Sequence, residues 1–310
     1  MRKLFTDREF PEERGLSEKV TKEAYNGITL ALESRIPNFA FKFSYDCADT
    51  STPYATNVNA LKDSIRAIIP KLEYPLNPLD YDREIEEQDK YNLFDLIEYL
   101  YPLVQDIKQD EYHSYYRHYH LVLLQTTKEK DSLRGEINLI FRRNNLNFYL
   151  DLDGEVKRRL PRAFDELVSG VGTVNIKDDD LSSLIKTALN LITKPSEYER
   201  KLALEKLWDA FERVKTIKAT KQGEKRESAK ELTKLMANST PGFEEIINDE
   251  FMLLSKLGNN YQIRHFETYI TKIPDLALID YLFFRALSLI NLAVVTIEEP
   301  LPNEVDWWLE

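Results

Sequence analysis

LALIDYLFFRALSLINLAVVTI, residues Leu276–Ile297, is the most apolar helical segment of the chain. Its longest apolar run, within Leu282–Ile297, is interrupted by Arg285, Ser288 and Asn291. A membrane span needs about 20 residues with almost no charge, so a buried core helix accounts for this stretch better. A helix that apolar has to be covered by others, which makes it the centre of a helical bundle.

Working backwards, the partners of that helix are legible by period. Leu181–Thr193 reads as a helix capped by Asp180 and ended by Pro195. Ser196 caps a second helix, whose apolar stripe is Tyr198, Leu202, Leu207, Trp208, Phe211 and Val214. Arg226–Asn238 is a polar third helix. Phe243–Leu257 is the fourth, with Phe243, Ile246, Ile247, Phe251 and Leu254 assigned to one face. Leu257-Gly258-Asn259 reads as its end, because Gly and Asn tolerate the left-handed conformation.

The first half is mixed but mostly helical. Helices are expected over Ser17–Arg35, Asn57–Ile69, Tyr91–Ile107 and Ser132–Asn144, with an acidic, turn-rich loop over Pro75–Tyr91. His120–Thr127 is β-like, and Asp153-Gly154 marks a hairpin within residues 147–160. Helix followed by hairpin suggests a winged-helix-like arrangement lined by Arg142, Arg143, Lys157, Arg158 and Arg159. Neighbouring carboxylates favour a solvated arm over a phosphate-binding wing. Ser169–Asp180 holds two glycines and reads as a hinge. The organisation is therefore mainly α: a mixed domain over 1–168, a helical bundle over 177–298 and an acidic aromatic tail over 299–310.

Nine glycines in 310 residues suit long helices, and a net charge of −11 argues against a general nucleic-acid coat. Cys47 is the only cysteine, taken to exclude a disulfide framework and a Cys-based zinc site within one chain. With no apolar core in MRKLFTDREF, a cytoplasmic protein without a membrane anchor is expected. Three of the four histidines, His113, His118 and His120, fall in YHSYYRHYH. A shared metal was weighed against a packed aromatic segment with satisfied histidines, and the packed segment preferred. No metal and no cofactor are expected. VKTIKATKQGEKRESAK gathers Lys215, Lys218, Lys221, Lys225, Arg226 and Lys230 against Glu224 and Glu227. Such a patch either serves a helix end and its loop or guides a polyanion.

LGNNYQIRHFE, Leu257–Glu267, lies just ahead of the central helix and carries Asn260, Arg264 and His265. In that position the second half resembles the HEPN superfamily, whose motif is an arginine, commonly an asparagine, then a histidine before the last helix. Asn260 and His265 match, while Asn259 or Gly258 stands at the arginine position. The runs FDLIEYLYPLV, GEINLIFRRNN, LWDAFERVKT, LGNNYQIRHFE and DYLFFRALSLINLAV together resemble AbiJ-type abortive-infection proteins over roughly residues 90–298. The resemblance implies bacterial defence against phage, RNA as target, a homodimer and metal-independent cleavage. His265 would act as base or acid, Arg264 would stabilise the charged phosphorane and Asn260 would orient the phosphate. Asp209, Glu212 and Lys215 would face the same cleft. The alternative is a degenerate, non-catalytic bundle that dimerises or docks a protein, with Trp307 and Trp308 as a docking element.

Overall fold

A computed structural model describes residues 17–70, 72, 84–219, 221, 223–261, 263 and 271–298. The chain divides into two units between Arg159 and Leu160. The fold is mainly α, with three small two-stranded antiparallel sheets among the described residues.

The N-terminal unit is built on α1 (Lys22–Glu33), α2 (Val58–Ile68), α3 (Glu87–Leu100) and α4 (Lys128–Arg143). Thr21 and Asn57 cap α1 and α2 through their side chains. A reciprocal capping box between Glu86 and Asp89 starts α3 earlier than expected, at Glu87. Of the acidic loop expected over Pro75–Tyr91, residues 75–83 lie outside the described residues. Leu133, Ile137 and Phe141 recur at helical spacing on the buried face of α4, and Phe141 meets Phe94 and Phe148 in an edge-to-face cluster.

The hairpin expected near 147–160 is β5 (Phe148–Leu150) paired with β6 (Val156–Arg158). Gly154 turns it at φ +91°, and a Cβ there would fall 2.7 Å from the Tyr101 ring. Two of the cations on this arm face carboxylates. Lys157 pairs with Asp151 and Glu155, and buried Arg158 lies 3.6 Å from Glu18. The hairpin is a packed structural arm and not a solvated one, because Phe148, Leu150 and Val156 belong to the apolar core of this unit.

Two further hairpins were mostly unforeseen. β1 (Ser44–Asp46) pairs with β2 (Pro53–Thr56), and β3 (Ile107–His113) pairs with β4 (His118–Leu123). The expected Tyr91–Ile107 helix stops at Leu100, passes through a short 3₁₀ turn and enters β3. Asp106 fixes that change of direction. Its buried carboxylate accepts from the Thr126 hydroxyl and from the backbone N–H groups of Lys128 and Glu129 at 2.9 and 2.8 Å. It thus serves the open N-terminus of α4 from outside the helix.

The C-terminal unit holds α5 (Arg162–Thr173), α6 (Asp179–Ile192), α7 (Glu197–Val214), α8 (Lys225–Met236), α9 (Phe243–Asn260) and α10 (Leu276–Glu298). Much of the expected hinge is α5, because Gly170 and Gly172 continue its helix; Asp178, not Asp180, caps α6. α10 packs on α7 and is the central helix. By length and composition it is long enough to cross a membrane, yet over half of its most apolar window is buried within the protein. Its charges are paired: Asp280 with buried Arg200 at 2.6 Å, and Arg285 with both oxygens of Glu250 at 2.7 and 2.8 Å.

α9 departs most from its sequence expectation. Phe243 and Ile246 are 52% and 61% exposed, leaving Ile247, Phe251 and Leu254 as the buried face. Nor does the helix end at Gly258; it runs on through Asn259 to Asn260. Gly258 is needed here for space. Its Cβ would lie 2.1 Å from Nε1 of Trp208, a fully buried indole of α7. Gly258→Ala should therefore cost about 1–3 kcal/mol in chemical denaturation, through overpacking. Gly170→Ala, with nothing within 4 Å of the added Cβ, should stabilise by about 0.5–1 kcal/mol.

Candidate functional site

The C-terminal unit contains an open cleft of ≈ 1270 Å³ between α8, α9 and the end of α7. Phe251 and Met252 supply apolar surface. Lys215, Lys225, Arg226, Lys230 and Lys256 supply cations, and Asn248, Asn259 and Asn260 supply amides. Glu244 and Glu245 also reach the lining. The sequence patch is thus only partly assembled. Lys215, Lys225 and Arg226 line the cleft with Asn260, whereas exposed Lys218 and Lys221 do not.

Lys215 is structural as well as cationic. It is 7% exposed, donates to Glu212 at 2.7 Å and to Ser255 of α9 at 2.9 Å, and lies over the Phe211 ring. Burial pushes its ammonium pKa below the ordinary lysine value, with Glu212 opposing that shift and Lys225 adding to it. Glu212 also accepts from Lys225. Burial would raise the Glu212 carboxyl, but the two ammonium groups outweigh it and hold it below its ordinary 4.5. Arg226, Lys230 and Lys256 stand exposed on the rim, where a polyanion would meet them first. Asp209 faces Lys206 in an ion pair at 3.7 Å and does not line the cleft.

Asn259 and Asn260 are exposed on the last turn of α9. Arg264, His265, Trp307 and Trp308 lie outside the described residues. Of the nearby described residues, Ile263 is buried and Tyr261 bridges to Thr271.

The N-terminal unit holds a second constellation, and here two expectations need correction. A single cysteine argues against a Cys-based zinc site, and the aromatic surroundings of the histidines predict rings satisfied by packing. The fold brings Cys47, His113, His118 and His120 together with one donor atom from each within 4.8 Å of the others. Cys47 follows β1, and His113 ends β3 directly opposite His118, the first residue of β4. His118 and His120 share a face of β4 by strand alternation. Cys47 Sγ lies 3.2 Å from His113 Nδ1, and His120 Nε2 lies 3.4 Å from Thr50 Oγ1. The aromatic packing is also present, with Tyr54 stacked on His118 at 4.1 Å. It does not satisfy the ring, because His118 Nε2 is buried with no hydrogen-bond partner among the described residues. Burial alone would push the Cys47 thiol up; the Asp49 backbone N–H and the His120, Thr50 and His113 side chains outweigh it and bring the thiol to about 5. The signal in the sequence was the alternating His118-x-His120 pair. Cys47, 66 residues before His113, gave none.

With this geometry in view, the comparisons fall into place. Residues 9–169 match the family described as AbiJ N-terminal domain 4, which covers more than half of the chain, and the chain belongs to that family. The family associates it with abortive infection, a form of bacterial antiviral defence. No curated protein and no solved structure matches the chain.

The Glu212 pairing gives a pH signature. A carboxyl whose folded pKa is depressed contributes its full stability above its ordinary value, and that contribution fades as pH falls through the lowered one. Urea denaturation at pH 7 should place Glu212→Gln about 1–2 kcal/mol below wild type. The gap should shrink as the pH drops below 4.5.

Proposed function

We propose that the chain is an abortive-infection effector whose C-terminal bundle is HEPN-like and cleaves RNA without a metal. The observation that carries this reading is the basic cleft ending at Asn259 and Asn260 in an otherwise acidic protein. Arg264 and His265 follow Asn260 by four and five residues. The rim cations would hold the RNA backbone. His265 would take the 2′-hydroxyl proton or supply one to the leaving oxygen. Arg264 would neutralise the phosphorane, and Asn260 would orient the phosphate through its amide. A single motif histidine per chain suits a paired site in a homodimer, acting in the cytoplasm where RNA is available.

A second reading is non-catalytic: a bundle that serves to dimerise. It is favoured by Asn259 or Gly258 at the motif's arginine position, and by Phe243, Ile246 and Leu253. These three recur at helical spacing on α9 and are exposed.

The two readings separate in one experiment. With chelator present, wild-type protein should cut RNA, and His265→Ala or Arg264→Ala should lower the rate at least about 10²-fold. Lys230→Glu with Lys256→Glu should weaken RNA binding and flatten its salt dependence. If wild type and both active-site variants behave alike, or none cuts, the catalytic reading fails. A chain that leaves RNA intact but loses its dimer on Phe243→Asp with Ile246→Asp would support the second reading.

A further inference from the structure

We propose that Cys47, His113, His118 and His120 form a structural zinc site that staples the two hairpins of the N-terminal unit. One thiolate and three imidazoles are donors of the borderline type that zinc prefers, and four of them close a tetrahedral shell. Tetrahedral zinc sets donor–donor edges at about 3.3–3.7 Å. The Cys47–His113 edge already stands at 3.2 Å, and the whole set lies within 4.8 Å. Only small side-chain movements would complete the shell. The ion would be held by the Cys47 thiolate and three neutral imidazoles, with any proton still carried by these groups leaving to solvent.

Three observations beyond the cluster point the same way. First, the buried Nε2 of His118 has no hydrogen-bond partner among the described residues, and a buried nitrogen without one costs free energy unless something binds it. Second, the surroundings resemble the outer shell of a metal centre. His113 turns Nδ1 to Cys47 and places Nε2 3.5 Å from the Asp49 carboxylate, to which Tyr116 donates its hydroxyl at 3.2 Å. A carboxylate behind an imidazole fixes its tautomer and strengthens it as a ligand.

Third, the hairpins need a staple. Each is only two-stranded, and a lone two-stranded hairpin is marginal in water. β2 lies against β4, yet neither hairpin contributes a residue to the buried apolar cluster of this unit. Tyr112, Tyr115, Tyr116 and Tyr119 are exposed around the β3–β4 turn. A metal joining the Cys47 turn to β3 and β4 would supply the cross-link that apolar burial does not.

The test uses the full chain, purified without chelator and without a metal-affinity step. Elemental analysis should find close to one zinc per chain, and cobalt(II) exchanged into the site should give a thiolate-to-metal charge-transfer band. Cys47→Ser should abolish that band and His118→Ala should lower the zinc content. Asp49→Asn, which keeps all four donors, should weaken binding about 10–100-fold. Removing zinc from wild type should open the 44–56 and 107–123 hairpins to protease while the C-terminal unit stays protected. RNA cleavage, set up in chelator, is scored separately, so failure of either idea leaves the other standing. A wild-type chain that holds no zinc and gives no thiolate band with cobalt overturns the site. So does a zinc content unchanged in both Cys47→Ser and His118→Ala.

Discussion

The close approach of Trp208 to Gly258 organises the cleft end of the C-terminal unit. An indole can sit this near a helix backbone only where the helix carries no side chain. Glycine usually weakens a helix interior, but burial of a large aromatic against the bare backbone offsets that cost. The same packing line includes the Phe211–Phe251 stack and the Lys215–Ser255 hydrogen bond. Because Trp208 holds the last turn of α9 in place, Asn259 and Asn260 remain helical and border the cleft.

The two units meet the problem of polar groups differently. In the C-terminal bundle, buried or half-buried charges are joined to partners on neighbouring helices or their caps: Arg200 to Asp280, Arg285 to Glu250, Arg213 to Asp178 and Glu212 to Lys225. Removing one partner of such a pair leaves an uncompensated charge, so these contacts specify helix register more than they add stability. The N-terminal helices share an ordinary apolar core, but the β1–β2 and β3–β4 hairpins have little of it. What those hairpins hold in common is a thiol and three imidazoles, with one donor atom from each within 4.8 Å of the others.

Helices were the most legible part of the sequence. Apolar period and caps located α2, α4, α7 and α10 to within a few residues, since local backbone preference and core burial agree there. The misses share a cause. Gly258 looked like a helix end because its neighbour in space, Trp208, is 50 positions away in the chain. Gly170 and Gly172 looked like a hinge although α5 continues through them. Phe243 and Ile246 looked buried because hydrophobicity does not say which of two apolar stripes faces the core. Short strands such as β1 and β2 carry too few residues for a period-two signal.

From the sequence alone came the mainly α class, the central place of Leu276–Ile297, the 147–160 hairpin and the likeness to abortive-infection proteins. Each depends on neighbours in the chain or on the order of short motifs. Tertiary structure alone decided which lysines of the patch share a cleft, how far α9 extends and that Cys47 meets three histidines. Those outcomes depend on contacts between residues distant in sequence, and local patterning does not encode the distances between such residues.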